Sequence, residues 1–532
     1  MRPFSILLAT LLAASAAFAL LLPYTPAVEL PKVADPYVPA LNRTMPYDTI
    51  LLKTWEGVKK RNIDAYTTGM VHRPKSEVPG DAVSEGISYG MFLALYSNDQ
   101  EYFNSVWDAG ERHMWATARN HYNWRTNSTG ATIGTGPASD ADQDIALLLI
   151  FADELVKNGI WEPFTSTRGA TYEGRARSLL QVIRTTMLEQ HFLLPGTWGQ
   201  SSSQIGSTKN PGYFAPAFYR VFGEFEPNHK ATWDRVIDSS YALINRSPGA
   251  ARGLIPDWIR RNGTSTGGAG YNAYRAGDAL YRDAIRVYWR LGTDYLWYGE
   301  PRAKEFLDKA IAFLEGLGGP AAANFFEMNG NLLPENDIER IADRTIVRSR
   351  REHSHLTVGM WAAAAIGTGN VELAEKYSER LISFYEGGDY WGNAIDPTPG
   401  GGRTINISGV PTLVPEDTLR NETYFDQFLA WFGASMLAGV QRNIWEDLKD
   451  GIPTPTLHAT TNKPRIHITN KSIALENLPP NAKVEVYNLN GKRIYSATPH
   501  SPLPTPLSIQ IQTKGIYIVH VQGFAPQRIA IH

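Results

Sequence analysis

The 532-residue sequence contains no cysteine, which excludes disulfide bonds, thiolate metal sites and catalysis by a thiol. A chain of this length can nevertheless bury a large hydrophobic core, and it is too long for one ordinary domain. We therefore expect more than one domain, each stabilised by packing rather than by covalent cross-links.

The sequence also lacks an excess of charge of either sign. The formal net charge is −2, and no block of like charges stands out along the chain. Proteins that bind nucleic acid or anionic membranes by electrostatics usually carry a basic patch or stripe. We therefore expect neither nucleic acid nor an anionic membrane to be the main partner.

Aromatic residues, in contrast, are plentiful. They make up 11% of the chain, with 14 tryptophans and 25 tyrosines. Such flat, amphipathic rings suit a protein that stacks on sugar rings, but large cores use tryptophan as well. Composition alone leaves both interpretations open.

The first 19 residues have the pattern of a secretory signal peptide. Arg2 gives a basic start, an apolar stretch follows, and the small-residue exit is Ala17-Phe-Ala19. The apolar run continues to Leu22, so a transmembrane anchor is the alternative, although prolines follow and no basic stop-transfer cluster does. We expect bacterial export, to the medium or the cell surface, with residues 20–45 as a lead-in.

Residues 46–449 have the hydrophobic spacing that is typical of helices. Ile145, Leu148, Leu149, Ala152 and Leu155, for example, broadly follow the i, i+3, i+4, i+7 spacing of an amphipathic helix. Further helical segments are predicted around 179–191, 230–245, 280–298, 303–316, 355–366, 371–386 and 424–440. Their spacing suggests helix pairs. Long loops separate some of them, at 196–212 and 396–417, and loops of this length in a compact domain are usually functional.

The texture changes after residue 449. Residues 450–464 form a Pro/Thr-rich linker, which is stiff and unsuited to packing. Beyond it, short alternating runs predict strands at 465–468, 483–487, 508–512 and 515–521, and Asn490-Gly491 predicts a hairpin turn. Residues 465–532 are therefore expected to form a small β-sandwich module.

Three acidic positions stand out in the helical region. Glu85 is the single acid at the head of the uncharged run 86–96, which is apolar enough to be a buried helix. In the segment 138–146, Ser139 and Asp142 have the spacing of a capping box, an interpretation we favour there over catalysis from the pattern alone. A calcium loop is excluded because its Gly and Glu positions hold Ile145 and Phe151.

The third acid lies in the segment 280–290. Asp283 and Arg286 have the i, i+3 spacing of an ordinary surface ion pair. The neighbouring residues Tyr281, Val287 and Trp289 indicate a mostly buried helix, however, where paired charges need a reason.

These segments together resemble glycoside hydrolase family eight, whose members are mostly endo-acting cellulases, xylanases, chitosanases and lichenases. Ser84-Glu-Gly-Ile-Ser-Tyr-Gly-Met91 is similar to the acid motif of that family, and Ala138-Ser-Asp-Ala-Asp-Gln-Asp-Ile-Ala146 to its signature. Arg282-Asp-Ala-Ile-Arg286 resembles its Tyr-Asp-Ala-x-Arg base motif, with Arg282 in place of Tyr, and the segment 210–219 matches a further loop.

The resemblance implies an (α/α)₆ barrel with six inner and six outer helices and a groove across one end. It implies inversion at the anomeric carbon, with Glu85 as general acid, Asp283 as general base and Asp140 holding the reactive sugar. Burial should raise the pKa of Glu85, and Arg286 should favour the ionised form of Asp283. We expect no cofactor, no catalytic metal and a monomer.

The expected substrate is cellulose or another β-1,4-glucan, with xylan as the alternative and chitosan third; a catalytically inactive sugar-binding barrel is the alternative from another class. By resemblance, the substrate-binding residues are Trp124, Trp198, Tyr213, Arg286 and Tyr424.

The β-module resembles the C-terminal sorting modules that some bacteria attach to exported enzymes, in Asn488-Leu-Asn-Gly-Lys492 and the run 515–521. It is therefore expected to engage secretion machinery. A carbohydrate-binding module is the alternative, which the absence of tryptophan from the tail disfavours.

Overall fold

A computed structural model describes most of the chain. The described residues of the helical part are 47–73, 80–197, 208–264, 278–333, 337–341, 344–348, 353–385, 389, 391, 403–407, 410–414 and 424–449. Those of the C-terminal part are 465–469, 472–476, 483–488, 493–497, 507–511, 513–521 and 527–531. The predicted signal peptide and linker, and Trp198, lie outside these residues.

Twelve helices of the described part alternate between two layers. Those of the outer layer bury only one face, and they are α1 (Tyr47–Val58), α3 (Gln100–His113), α5 (Tyr172–Thr186), α7 (Lys230–Asn245), α9 (Pro301–Gly316) and α11 (Val371–Ile382). Those of the inner layer are buried nearly all round, and they are α2 (Ser84–Tyr96), α4 (Ser139–Lys157), α6 (Pro216–Phe225), α8 (Arg286–Tyr298), α10 (His355–Ile366) and α12 (Tyr424–Leu437). A short helix, α13 (Ile444–Leu448), follows, and the five residues after α1 are π-helical (Lys59–Ile63).

The inner helices form a closed ring. Each packs on the next along the chain from α2 to α12, and Tyr89 of α2 closes the ring against Phe428 and Phe432 of α12. Helices α10 and α12 cross so closely that a Cβ on Gly433 would lie 2.2 Å from the carbonyl oxygen of Gly359, so only glycine fits there. The predicted (α/α)₆ barrel is confirmed.

Ring geometry explains the composition of the inner helices. A helix surrounded by neighbours has no solvent face, so it is apolar in every direction. The run 86–96 is buried throughout, as the sequence predicts. None of the helices within the described ranges combines the length and the apolar character that crossing a membrane requires.

Short strands are concentrated at one end of the barrel. Within the described residues of the helical part, every strand lies in a connection from an outer helix to the next inner helix, where the inner helices begin. They pair as β1 (Ala82–Val83) with β4 (Arg125–Thr126) and β5 (Thr132–Gly134), β2 (Trp115–Ala116) with β3 (His121–Tyr122), β6 (Leu188–Glu189) with β7 (Phe192–Leu193), β8 (Thr208–Lys209) with β9 (Ile259–Arg260), β10 (Ala279–Leu280) with β11 (Phe326–Glu327), β12 (Asp337–Ile341) with β13 (Arg344–Arg348), and β14 (Arg403–Ile407) with β15 (Val410–Val414). The last hairpin occupies part of the segment 396–417 that the sequence indicates as a loop.

The chain divides into two compact units, Met1–Ile452 and Pro453–His532. In the second unit, one sheet has the order β16-β17-β20 and the other β19-β18-β21-β22, all antiparallel. Their bounds are β16 (Arg465–Thr469), β17 (Ser472–Glu476), β18 (Val484–Asn488), β19 (Arg493–Ala497), β20 (Leu507–Gln510), β21 (Gly515–Val521) and β22 (Gln527–Ile531). Residues of both sheets, such as Ile473 and Val486, share one apolar core. The sorting role of this unit stays a prediction.

Candidate active site

Three carboxylates lie where inner helices begin. Glu85 is in the first turn of α2, Asp140 in the first turn of α4, and Asp283 in the turn that leads into α8. Because inner and outer helices alternate in direction, the beginnings of α2, α4 and α8 lie at the same end of the ring. The sequence separates Glu85 from Asp283 by almost 200 residues, and the ring brings them together.

One guanidinium group joins the three carboxylates. Arg286 Nη1 lies 2.7 Å from Glu85 Oε2 and 3.0 Å from Asp140 Oδ2, and its Nη2 lies 3.0 Å from Asp283 Oδ1. The Arg286 side chain is 1% exposed, whereas Asp283 is 29% exposed and reaches solvent. The i, i+3 pair that the sequence shows is therefore only part of the role of Arg286. A single buried cation facing three acids favours a state in which one of the acids keeps a proton.

Glu85 is the acid best placed to keep that proton. Burial raises the pKa of Glu85 to about 7, against the opposing effect of the Arg286 charge, and the negative charge of Asp140 also raises it. The Tyr424 hydroxyl lies 2.7 Å from Glu85 Oε1 and donates to the ionised carboxylate. The same hydroxyl can accept from the protonated form. Glu85 can thus change protonation state near neutral pH without losing its partners.

Asp283 is held by a different set of groups. Asn210 donates from Nδ2 to Asp283 Oδ2 at 3.1 Å, while Arg286 occupies the other oxygen. The turn Pro211–Tyr213 passes so close to the backbone of Asp283 that a Cβ on Gly212 would lie 2.0 Å from its carbonyl oxygen. Only glycine fits this crossing. Each oxygen of the Asp283 carboxylate therefore accepts a hydrogen bond from a different donor.

A buried carboxyl, that of Asp257, shapes the turn beneath Asp283. Its Oδ1 accepts hydrogen bonds from the backbone N–H groups of Tyr281 at 3.0 Å and Ala284 at 2.8 Å. Asp257 is 1% exposed. Burial, and then the charge of Asp283, raise the pKa of Asp257 well above its ordinary value. Nothing local in the sequence links positions 257 and 283, so the sequence alone does not indicate a role for Asp257.

Asp140 lies beside Glu85 in the same cluster. It is 3% exposed, its Oδ2 accepts from Arg286, and its Oδ1 has no hydrogen-bond partner among the described residues. A buried acceptor in this position can bind a hydroxyl or a water molecule. One turn further along α4, Asp144 makes two 2.8 Å hydrogen bonds with Arg290, so a second buried ion pair underlies the site.

The predicted capping box at the start of α4 is wrong. The residue that precedes the helix is Ala138, and no side chain caps it. Ser139 instead donates to the carbonyl of Leu194, and Asp142 Oδ1 accepts from the backbone N–H of Tyr122 at 3.0 Å. Both side chains are fully buried and tie α4 to neighbouring loops, because the ring places those loops over the helix end.

The substituted position in the base motif, Arg282, forms an ion pair with another inner helix. Its Nη1 lies 2.6 Å from Oδ1 of Asp426, a fully buried residue in the first turn of α12. The arginine therefore leaves the contacts of Asp283 with Arg286 and Asn210 in place.

The predicted sugar-binding aromatics occupy different environments. Trp124 is 37% exposed, and the backbone N–H of Ser84 donates to its carbonyl, so its loop is fixed to the start of α2. Tyr213 is half-buried, with its ring 5.1 Å from the Arg286 guanidinium carbon. Tyr424 is only 3% exposed; its ring packs on Tyr89 and Phe428, and its hydroxyl is the part that reaches Glu85.

Comparisons with known proteins agree with this architecture. The chain matches the family "Glycosyl hydrolases family 8" over residues 42–315. It is 29% identical over 358 residues to "Endoglucanase 2" of Ruminiclostridium josui, covering 65% of this chain and 69% of that protein. It is 30% identical over 361 residues to "Endoglucanase A" of Acetivibrio thermocellus, covering 65% and 67%. Among solved structures, a "reducing-end-xylose releasing exo-oligoxylanase" shares the fold, with a TM-score of 0.55, 18% identity and coverage of 76% of this chain and 96% of that one.

Proposed function

The chain belongs to glycosyl hydrolase family 8 and is a glycosidase, and from this premise we propose that it cleaves internal β-1,4 bonds of cellulose or a related β-glucan with inversion. The observation that carries the proposal is the position of the Arg286 guanidinium group between two acids. It contacts Glu85, whose pKa is raised to about 7, and it also contacts the carboxylate of Asp283. Inverting hydrolysis requires one acid and one base of this kind.

Glu85 acts as the general acid. In its protonated form it donates to the glycosidic oxygen as the bond to the anomeric carbon breaks, so that the leaving sugar departs as a neutral alcohol. The positive charge of Arg286 beside Glu85 then stabilises the carboxylate that forms. Tyr424 donates to the same carboxylate, so both oxygens keep a partner after the proton has left.

Asp283 acts as the general base. It takes a proton from the water that attacks the anomeric carbon on the face opposite the leaving group. The guanidinium group of Arg286 and its two hydrogen bonds lie between the carboxyl groups of Glu85 and Asp283. This arrangement is compatible with the separation of about 6.5–9.5 Å between the two carboxyl groups that inverting enzymes use to accommodate the water. Asp140, with one oxygen open to a hydroxyl, holds the reacting sugar or orders the water.

The endo-acting glucanase assignment is supported by the curated relatives named as endoglucanases. Endo-β-1,4-xylanase activity is the alternative, and the fold is shared with a protein named for releasing xylose. Xylan differs from cellulose in lacking a hydroxymethyl group on each ring, so the choice depends on how the cleft accommodates that group.

We expect the purified full-length chain to release reducing ends fastest from carboxymethyl cellulose or mixed-linkage β-glucan. Xylan and chitosan serve as the alternative substrates in the same assay. Viscosity measured in parallel should fall early, because cuts inside a chain shorten it faster than cuts at its ends. Faster release from xylan would replace the glucanase assignment, and no release from any of the four polymers would contradict hydrolysis of β-1,4 bonds altogether.

A further inference from the structure

We propose that the ion pair between Arg282 and Asp426 positions the general base relative to the general acid. The proposal rests on the proposed function, and it concerns a pair that stands apart from the reacting groups. By the resemblance stated above, Arg282 stands where the base motif has tyrosine, so the motif itself does not supply this pair.

The pair is short and well shielded. Arg282 Nη1 and Asp426 Oδ1 lie 2.6 Å apart, with 13% of the Arg282 side chain exposed and none of the Asp426 side chain. A buried carboxylate that keeps a charged partner at this distance is strongly restrained in position, because moving either group leaves a charge in a poorly solvating environment. The contact therefore fixes the start of α12 to the turn before α8.

That contact closes a triangle of links among three inner helices. Glu85 joins α2 to α8 through Arg286, and it joins α2 to α12 through Tyr424. The Arg282–Asp426 pair supplies the third side, between the turn before α8 and α12. With all three sides present, the turn that carries Asp283 cannot shift without disturbing the partners of Glu85.

Asp283 needs such a restraint because it lies outside the regular part of α8. The helix begins at Arg286, and the turn before it is held by Asp257 and crossed by Gly212. Arg282 directly precedes Asp283, so a restraint on the Arg282 side chain acts on the backbone that aims the base. Misplacement by about 1 Å can lower turnover about 100-fold while leaving binding largely intact.

The test uses Asp426→Asn in the full chain, on a polymer that the wild-type enzyme hydrolyses. We expect kcat to fall about 10–100-fold and KM to change less than about twofold. Asp294→Asn is the matched control. Asp294 is also a fully buried acid on an inner helix, paired at 2.8 Å with a partly exposed arginine, Arg220. The Asp294→Asn variant should lose about as much stability against unfolding in urea as Asp426→Asn does, but its kcat should remain that of the wild-type enzyme.

Two further variants separate positioning from stability. Arg282→Met combined with Asp426→Asn removes the pair without leaving a buried charge, so stability should recover while kcat stays low. Arg282→Lys, with Asp426 unchanged, keeps the positive charge beside Asp426, so its kcat should be higher than that of Asp426→Asn. Wild-type kcat in Asp426→Asn or in the double variant would overturn the proposal, as would a loss of kcat in Asp294→Asn equal to that in Asp426→Asn. Failure of the proposed function would appear in the wild-type assay instead, so the two failures are distinguishable.

Discussion

Glu85→Gln is expected to lower turnover on an unactivated polysaccharide by about 10²–10⁴-fold, the usual contribution of general acid catalysis. The amide has the shape of the carboxyl group but has no proton to give to the glycosidic oxygen. Its oxygen can still accept from Arg286 and its nitrogen can donate to the Tyr424 hydroxyl, so the fold and the substrate affinity should be retained. Initial rates on the preferred polymer, with urea unfolding as a control for stability, measure the effect.

Two features distinguish this loss from general damage to the site. A substrate with a good leaving group needs little protonation, so it should recover most of the lost rate in Glu85→Gln. In the wild-type enzyme, kcat/KM should fall as the pH rises through about 7, because only the protonated form of Glu85 donates and burial raises its pKa to about 7. More than about a tenth of wild-type turnover in the variant on the natural polymer would remove Glu85 from the role.

Asp283→Ala is expected to cause a loss of similar size, about 10²–10⁴-fold, because the attacking water loses its proton acceptor. Arg286 and Asn210 would remain in place, since each has further contacts: Arg286 with Glu85 and Asp140, and Asn210 with the N–H of Gly212. The substrate should therefore still bind, and the change should fall on kcat. The comparison of kcat with KM on the same polymer measures this.

The control for Asp283→Ala is a comparison with Glu85→Gln, because the two variants should respond differently to an activated substrate and to added azide. An activated leaving group should give little recovery here, because attack by water remains the slow step. Added azide should raise the rate, since a small anion needs no base and the space vacated by the side chain opens to solvent. Recovery by the activated substrate to the same extent in both variants would mean that Asp283 does not act on the water.

Local pattern predicts the inner helices well and the contacts between them poorly. The apolar run 86–96 and the spacing at 145–155 indicate burial directly, because the residues that cover each face of a helix are close together in the sequence. The bounds are less accurate: the pattern at 280–298 continues smoothly, whereas α8 begins at Arg286. The residues before it form the turn that presents Asp283, and the acceptor that shapes this turn, Asp257, comes from another loop.

Roles that depend on distant partners are the ones the sequence does not specify. Tyr424 is predicted, by resemblance, to bind substrate, and its hydroxyl also contacts a carboxyl group 339 positions away in the sequence. Arg286 is predicted to pair with Asp283 and, by resemblance, to bind substrate, and it also contacts Glu85 and Asp140. Ser139 has the spacing of a cap, yet a carbonyl from another loop takes its hydrogen bond. For Ser139 the tertiary contacts override the local pattern, and for Tyr424 and Arg286 they add partners that the local pattern does not show. The family motifs, read together, therefore indicate the site better than any one of them.

The anomeric configuration of the first product tests the central assignment most directly. If Asp283 activates water on the face opposite Glu85, a β-linked substrate must yield the α-anomer first. Proton NMR of a concentrated enzyme with a soluble oligosaccharide, read before mutarotation, distinguishes the two anomers. We predict that the α-anomer signal appears first and that the β-anomer grows in later at the spontaneous rate. Initial release of the β-anomer would contradict the pairing of Glu85 as acid with Asp283 as base.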